Sequence, residues 1–148
     1  MSRALELIEL YDMEKLESEG GYFSFLTGFG NGAGCILYLI TDETFSSLHM
    51  LDNDEIWFFL EGDEALQYTF IDGKENIAVL SEDRRHSIVK AGMLQGTRLR
   101  EGGRYALFST AMSPKFDEEG FSLPDSDVIE SLEKGKYFYD GIHNSGVL

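Results

Sequence analysis

The chain has 148 residues, a formal net charge of -15, 43% hydrophobic and 13% aromatic residues, and a single cysteine, Cys35. A domain of that length buries ~68–70% of the surface its unfolded chain exposes, so one compact unit without disulfide or metal staples is expected, and the apolar content argues against disorder. The acidic balance argues against nucleic acid and anionic membranes as partners, since both are recognised by clustered Lys and Arg.

Residues 1–16 mix Leu5, Leu7, Ile8, Met13 and Leu16 with Glu6, Glu9 and Glu14, an amphipathic helix pattern with Ser2 as its cap. This start has no uncharged apolar core of the secretory type. Together with the lone cysteine it points to a reducing, cytoplasmic setting.

After "ESEGG" the pattern changes to short runs rich in Tyr, Phe, Ile, Val and Thr: "YFSFL", "CILYLIT", "FSSLHML", "EIWFFLEG", "ALQYTFI", "NIAVL", "HSIVK", "MLQGTRLR" and "RYALFSTAM". Turn signals such as "GFGNGAG", "LDND", "EGDE" and "DGK" separate them. About nine strands without intervening helices imply an all-β antiparallel sandwich or barrel over residues 20–123. None of the apolar runs is long enough to span a bilayer.

Residues 124–148 complete the single domain. "PDSDVIESLEKG" predicts a short helix capped by Asp127, with Glu130 in the capping-box position and Gly135 as its stop. The tail then carries Tyr137, Phe138 and Tyr139, which are expected to dock on the same subunit or a neighbouring one.

Half of the twelve basic residues, Arg84, Arg85, Lys90, Arg98, Arg100 and Arg104, fall within about twenty positions. A solvated face balancing acids elsewhere is the simpler reading. A local anion site for a small ligand is the alternative.

Strand alternation gives His49, Leu51, Asn53, Glu55, Trp57 and Phe59 one parity, and Gln95 shares a parity with Met93, Thr97 and Leu99. If these faces point inward, an imidazole, a carboxylate and an amide meet in an apolar interior. A buried carboxylate without partners costs several kcal/mol or takes up a proton, so Glu55 needs a hydrogen-bond donor, a cation or a metal. His49 and Glu55 satisfying each other as a buried pair is the structural alternative. A divalent metal on His49, Glu55 and Gln95 is a third, although two of those three are weak or indifferent ligands by type.

These residues resemble the first cupin motif, in which a His, a second His two positions on, a Glu four later and a Gly seven after that correspond to His49, Leu51, Glu55 and Gly62. The second motif, Pro-x-Gly-x-x-His, is matched by Lys90 to Gln95 with its Pro and His replaced. The segments Glu19 to Tyr22, "LHMLDNDEIWFFLEG", "KAGMLQGTRL" and "SPKFDEEGFSL" are similar to those of a cupin subfamily of uncharacterised proteins, with a domain of unknown function, over about residues 3–134. In that subfamily the His, Glu and Gln pattern is usual. Charged or aromatic residues common there are replaced here by Leu48, Met50, Phe58, Leu94 and the stretch Ser24 to Gly28, which implies a greasier pocket.

The resemblance implies a double-stranded β-helix, the jelly-roll barrel of cupins, flanked by the two short helices. It also implies a small-molecule ligand in the barrel cavity. Three functions follow as expectations. One is an isomerase or epimerase on a carbohydrate-like or carbonyl compound, with His49 as general base and Tyr38 or Tyr105 as the acid. Another is a binding module using Glu55, Gln95, Trp57 and Tyr38. The last is a metal-dependent cupin with manganese, iron, nickel or zinc on His49, Glu55 and Gln95. A homodimer is expected from the open sheet edges.

Overall fold

The computed structural model describes residues 1–30 and 32–124. The expected helix at residues 124–135 and the aromatic tail therefore lie outside the described residues. The elements run α1 (Arg3–Leu10), β1 (Glu14–Lys15), β2 (Tyr22–Gly28), β3 (Gly34–Thr41), β4 (Ser46–Leu51), β5 (Glu55–Gly62), β6 (Ala65–Ile71), β7 (Lys74–Leu80), β8 (His86–Val89), β9 (Leu94–Leu99), β10 (Tyr105–Met112) and β11 (Phe121–Ser122), with a 3-10 turn at Glu118–Gly120.

Two antiparallel sheets face each other as an all-β jelly roll. One has the order β1-β2-β3-β10-β5-β8 and the other β11-β4-β9-β6-β7. Each of the nine strands expected from alternation is present.

The helix is shorter than its periodicity suggests. Ser2 caps it, its side chain accepting from the Leu5 amide at 3.3 Å, but it ends at Leu10. Asp12 takes a left-handed φ of 48°, and Glu14 and Lys15 pair with Phe23 and Tyr22. Both carry polar side chains, so a further helical turn would bury little there, whereas edge pairing satisfies their backbone groups. Leu7 and Met13 instead cover the outer face of the first sheet against Leu37, Leu39 and Leu107. Arg3 fixes the helix laterally by bonding Glu61 at 2.9 Å.

The two interior faces differ in chemistry. The first sheet supplies aromatics in edge-to-face contact: Tyr38 with Trp57 at 5.5 Å, and Trp57 with Phe108 at 5.3 Å between centroids. The second sheet supplies Ala65 and Leu99 at one end but buried polar side chains, His49, Gln67, Gln95 and Thr97, along the middle. Gln67 and Gln95 find partners across the interior. Gln67 donates to Thr97 at 3.2 Å and accepts from the Ser87 hydroxyl of the opposite sheet. The opposite face of the second sheet carries an apolar cluster of Phe45, Leu48, Tyr68, Phe70 and Leu94.

The basic residues behave as a solvated face where their partners are defined. Lys90 pairs with Asp54 at 2.9 Å, and Arg100 pairs with Glu64.

Gly62 ends β5 at φ 111°, where an added Cβ would lie 2.4 Å from the Tyr105 carbonyl oxygen. Gly62→Ala is expected to cost on the order of 2 kcal/mol or more, because strained backbone adds to a backbone clash. The midpoint of urea unfolding measures it, and an unchanged midpoint would refute the close approach of β5 and β10 at this bulge.

Candidate functional site

The parity argument places three side chains inside, and the structure finds His49, Glu55 and Gln95 at 0%, 7% and 1% exposure. His49 and Gln95 are paired neighbours on β4 and β9, while Glu55 reaches across from β5 of the other sheet. Gln95 donates its Nε2 to Glu55 Oε1 at 3.2 Å, and the Trp57 indole donates to the same oxygen at 3.0 Å. Thr110 on β10 adds a further hydrogen bond to the carboxyl.

His49 is not bonded to Glu55. Its Nδ1 lies 2.6 Å from the Ser47 carbonyl oxygen, which can only accept. Nδ1 therefore carries the proton, and in the neutral ring Nε2 is the acceptor. That Nε2 has no hydrogen-bond partner and stands 3.8 Å from Glu19 Oε1. Phe121 of β11 stacks on the imidazole at 5.3 Å and 21°.

Glu19 is the site residue that residue-by-residue reading of strands passes over. It sits in the "EGG" turn before β2, where no alternation reports which way a side chain points. The only signal was its place in the family-like "EGGY" segment. The turn is held tightly. Glu19 Oε1 accepts from Ser46 Oγ at 2.5 Å, its carbonyl accepts from Ser47 Oγ at 2.7 Å, and the Gly20 carbonyl accepts from Tyr38 at 2.6 Å. Gly21, at φ 76°, leaves room for that tyrosine, since a Cβ there would lie 2.7 Å from the Tyr38 hydroxyl.

Glu19 and Glu55 both reach a cavity of about 200 Å³ at this end of the barrel. Its wall is mostly carbon, including Phe23, Phe25, Leu51, Met112 and Phe116. Thr110, Cys35, Lys115 and Glu118 complete its polar part. His49 and Gln95 stand behind the wall, in contact with Glu19 and Glu55. Of the two tyrosines considered as acids, Tyr38 is buried and committed to Gly20. Tyr105 packs on the outer face under α1 and donates to Glu61 at 2.9 Å, so it does not reach the cavity.

Burial pushes Glu55 up to about 7, and the charge of Glu19 adds to the rise. The His49 charge and the hydrogen bonds from Thr110 and Trp57 oppose it. Burial likewise holds Tyr38 well above the usual phenol range.

The donor set does not fit the resident divalent metal that the cupin resemblance implies. Among the described residues no three His, Cys, Asp or Glu side chains gather closely enough to hold one. Gln95 turns its NH₂ rather than its oxygen toward Glu55, whose Oε1 already accepts two hydrogen bonds.

The family model described as "Cupin superfamily (DUF985)" matches residues 5–124. The chain belongs to the cupin superfamily. Among solved structures, this cupin is similar to protein SO0799 from Shewanella oneidensis, with a TM-score of 0.85 at 21% identity, covering 97% of this chain and 98% of that one. A hypothetical protein from Leishmania major gives a TM-score of 0.84 at 19% identity, covering 97% and 100%. A cupin 2 conserved barrel domain protein from Rhodopseudomonas palustris gives 0.65 at 13% identity, covering 86% and 83%. At these identities the likeness is one of fold. No curated protein matches the sequence. Among the described residues of this cupin, no helix is long and apolar enough to cross a membrane.

The raised Glu55 gives a stability prediction with a definite sign. Folded protein binds this proton more tightly than unfolded protein does. The stabilisation is therefore complete below the ordinary carboxyl value of 4.5 and is lost as pH rises through about 7. Each pH unit of that window is worth about 1.4 kcal/mol, so the loss is on the order of 3 kcal/mol. Glu55→Gln, neutral at every pH, is expected to flatten the fall in unfolding free energy between pH 5 and 8. Parallel curves for the two proteins would contradict the assignment.

Proposed function

We propose that this cupin binds a small molecule in the cavity at the barrel end and exchanges a proton with it through Glu55, as an isomerase- or epimerase-like catalyst does. The observation that carries this reading is that one carboxyl both lines the cavity and is brought close to neutral pH. A general acid or base works best when its proton affinity matches the working pH. His49 was the base expected from the motif. The cavity wall favours Glu55 for the contact with substrate, with His49 behind it and 3.8 Å from Glu19.

The wall also narrows the substrate. Sites for drug-sized ligands run ~300–1,000 Å³, so a cavity of about 200 Å³ suits a smaller molecule. Few donors line it, which favours a carbonyl compound with a compact apolar body over a polyhydroxylated sugar. In the reaction, the Glu55 carboxylate takes a proton from the carbon beside the carbonyl. The bond pair moves into the enolate, and the proton returns to the same or the opposite face of that carbon.

A non-catalytic binding module is the second reading. It is favoured by the commitment of Tyr38 to the Gly20 carbonyl, which leaves Glu55 without a phenol as a complementary acid on the wall.

A panel of small ketones and aldehydes in deuterium oxide separates the two. Catalysis is expected to appear as deuterium incorporation beside the carbonyl, rising as pH increases through about 7. In Glu55→Gln it should fall by ~10²–10⁴-fold, the usual contribution of a positioned acid or base. Binding detected by NMR at Leu51 and Thr110 without deuterium incorporation would leave only the binding module.

A further inference from the structure

The cavity joins two features whose combination selects a ligand charge. Two buried carboxyls, Glu19 and Glu55, reach it, with Glu118 also on its wall and Lys115 as the one basic side chain there among the described residues. The rest of the wall is rich in aromatic rings, among them Phe23, Phe25 and Phe116. The bonds recorded at both buried carboxyls come from neutral donors. Ser46 serves Glu19, while Trp57, Gln95 and Thr110 serve Glu55. The nearest basic group, His49 Nε2, is 3.8 Å from Glu19 and makes no hydrogen bond although the ring is fully buried. The hydrogen bonds to both carboxyls thus come from neutral groups, with His49 the basic side chain beside Glu19.

We propose that the cavity selects a small organic cation, an alkyl- or arylammonium nitrogen held by the Glu19 and Glu55 carboxylates with its carbon body against Phe23, Phe25 and Phe116. This rests on the reading of the cavity as the binding site and adds a positive charge to the compact carbonyl compound proposed above, choline in the test standing for the charged part alone. Ring faces attract cations, and a desolvated carboxylate adds a second attraction that a neutral ligand does not feel. A metal cation is disfavoured by the same wall, because hard ions need a shell of about six or more oxygens and this one is mostly carbon.

Glu55 is the group whose proton affinity lies near neutral pH. Glu55 is faced by Glu19 from the turn before β2, His49 on β4, Gln95 on β9, Thr110 on β10 and Trp57 on its own strand, with Lys115, Glu118 and Cys35 further along the wall. A cation arriving among these groups favours the ionised Glu55. Binding therefore expels a proton when the free protein holds one, and affinity rises with pH through about 7.

The test uses choline and its uncharged carbon isostere, 3,3-dimethylbutan-1-ol, titrated calorimetrically into the intact protein from pH 6 to 8. Choline is expected to bind at least tenfold more tightly than the alcohol, with proton release below pH 7, and to resist displacement by sodium chloride at matched ionic strength. Glu19→Gln is expected to weaken choline at least tenfold. Comparison of the two probes on unmodified protein keeps the test decisive should that variant fail to fold. Equal affinity for choline and the alcohol would overturn charge selection while leaving the cavity as a binding site. So would no choline binding by protein that binds neutral ketones, or an unchanged choline affinity in folded Glu19→Gln.

Discussion

A carboxyl group placed between two packed sheets governs the interior of this protein. Left without donors, Glu55 would cost several kcal/mol, and the surrounding architecture is arranged to prevent that. Trp57 turns its indole N–H back toward its own strand neighbour, and Gln95 reaches over from the other sheet to the same oxygen. The Gln95 bond ties β5 to β9 at this end of the barrel, so the relative position of the two sheets is set by polar geometry as well as by area burial. The polar inner face of the second sheet is then intelligible. Gln67 continues the cross-interior bonding through Ser87 and is tied to Thr97 within its own sheet, beside the aromatic packing of the first sheet.

A second carboxyl enters from a different kind of element. The turn carrying Glu19 is pinned by Ser46, Ser47 and Tyr38, whose three bonds converge on residues 19 and 20. Such a turn behaves as a rigid wall rather than a loose loop. The two acids thereby acquire a fixed relation, and the charge of Glu19 raises the cost of ionising Glu55 in a medium of low dielectric. Imidazole, carboxyls and amide form one electrostatic unit rather than three separate side chains.

Much of this was legible in the sequence, for reasons that differ by element. The strands announced themselves through two-residue alternation and turn chemistry, and the parity of His49, Glu55 and Trp57 survived the intervening "LDND" turn. The helix was read too long because Met13 and Leu16 fit a helical period as well as they fit a chain leaving the helix, and only the left-handed Asp12 distinguishes the two. The strands Glu14–Lys15 and Phe121–Ser122 are two residues each, too short to carry any period. Glu19 lies in a glycine turn whose geometry is imposed by partners 18 or more residues away. Tyr105 shares its strand with interior residues but has the opposite parity to Ala106 and Phe108, which places it on the outer face.

The stacking of Phe121 on His49 ties the imidazole to the far end of the described chain. That ring is held by a strand of two residues, paired only with Leu51 and Met50. Short edge pairings open far more often than the body of a sheet. Opening of that small clasp uncovers the imidazole while the body of the barrel stays paired.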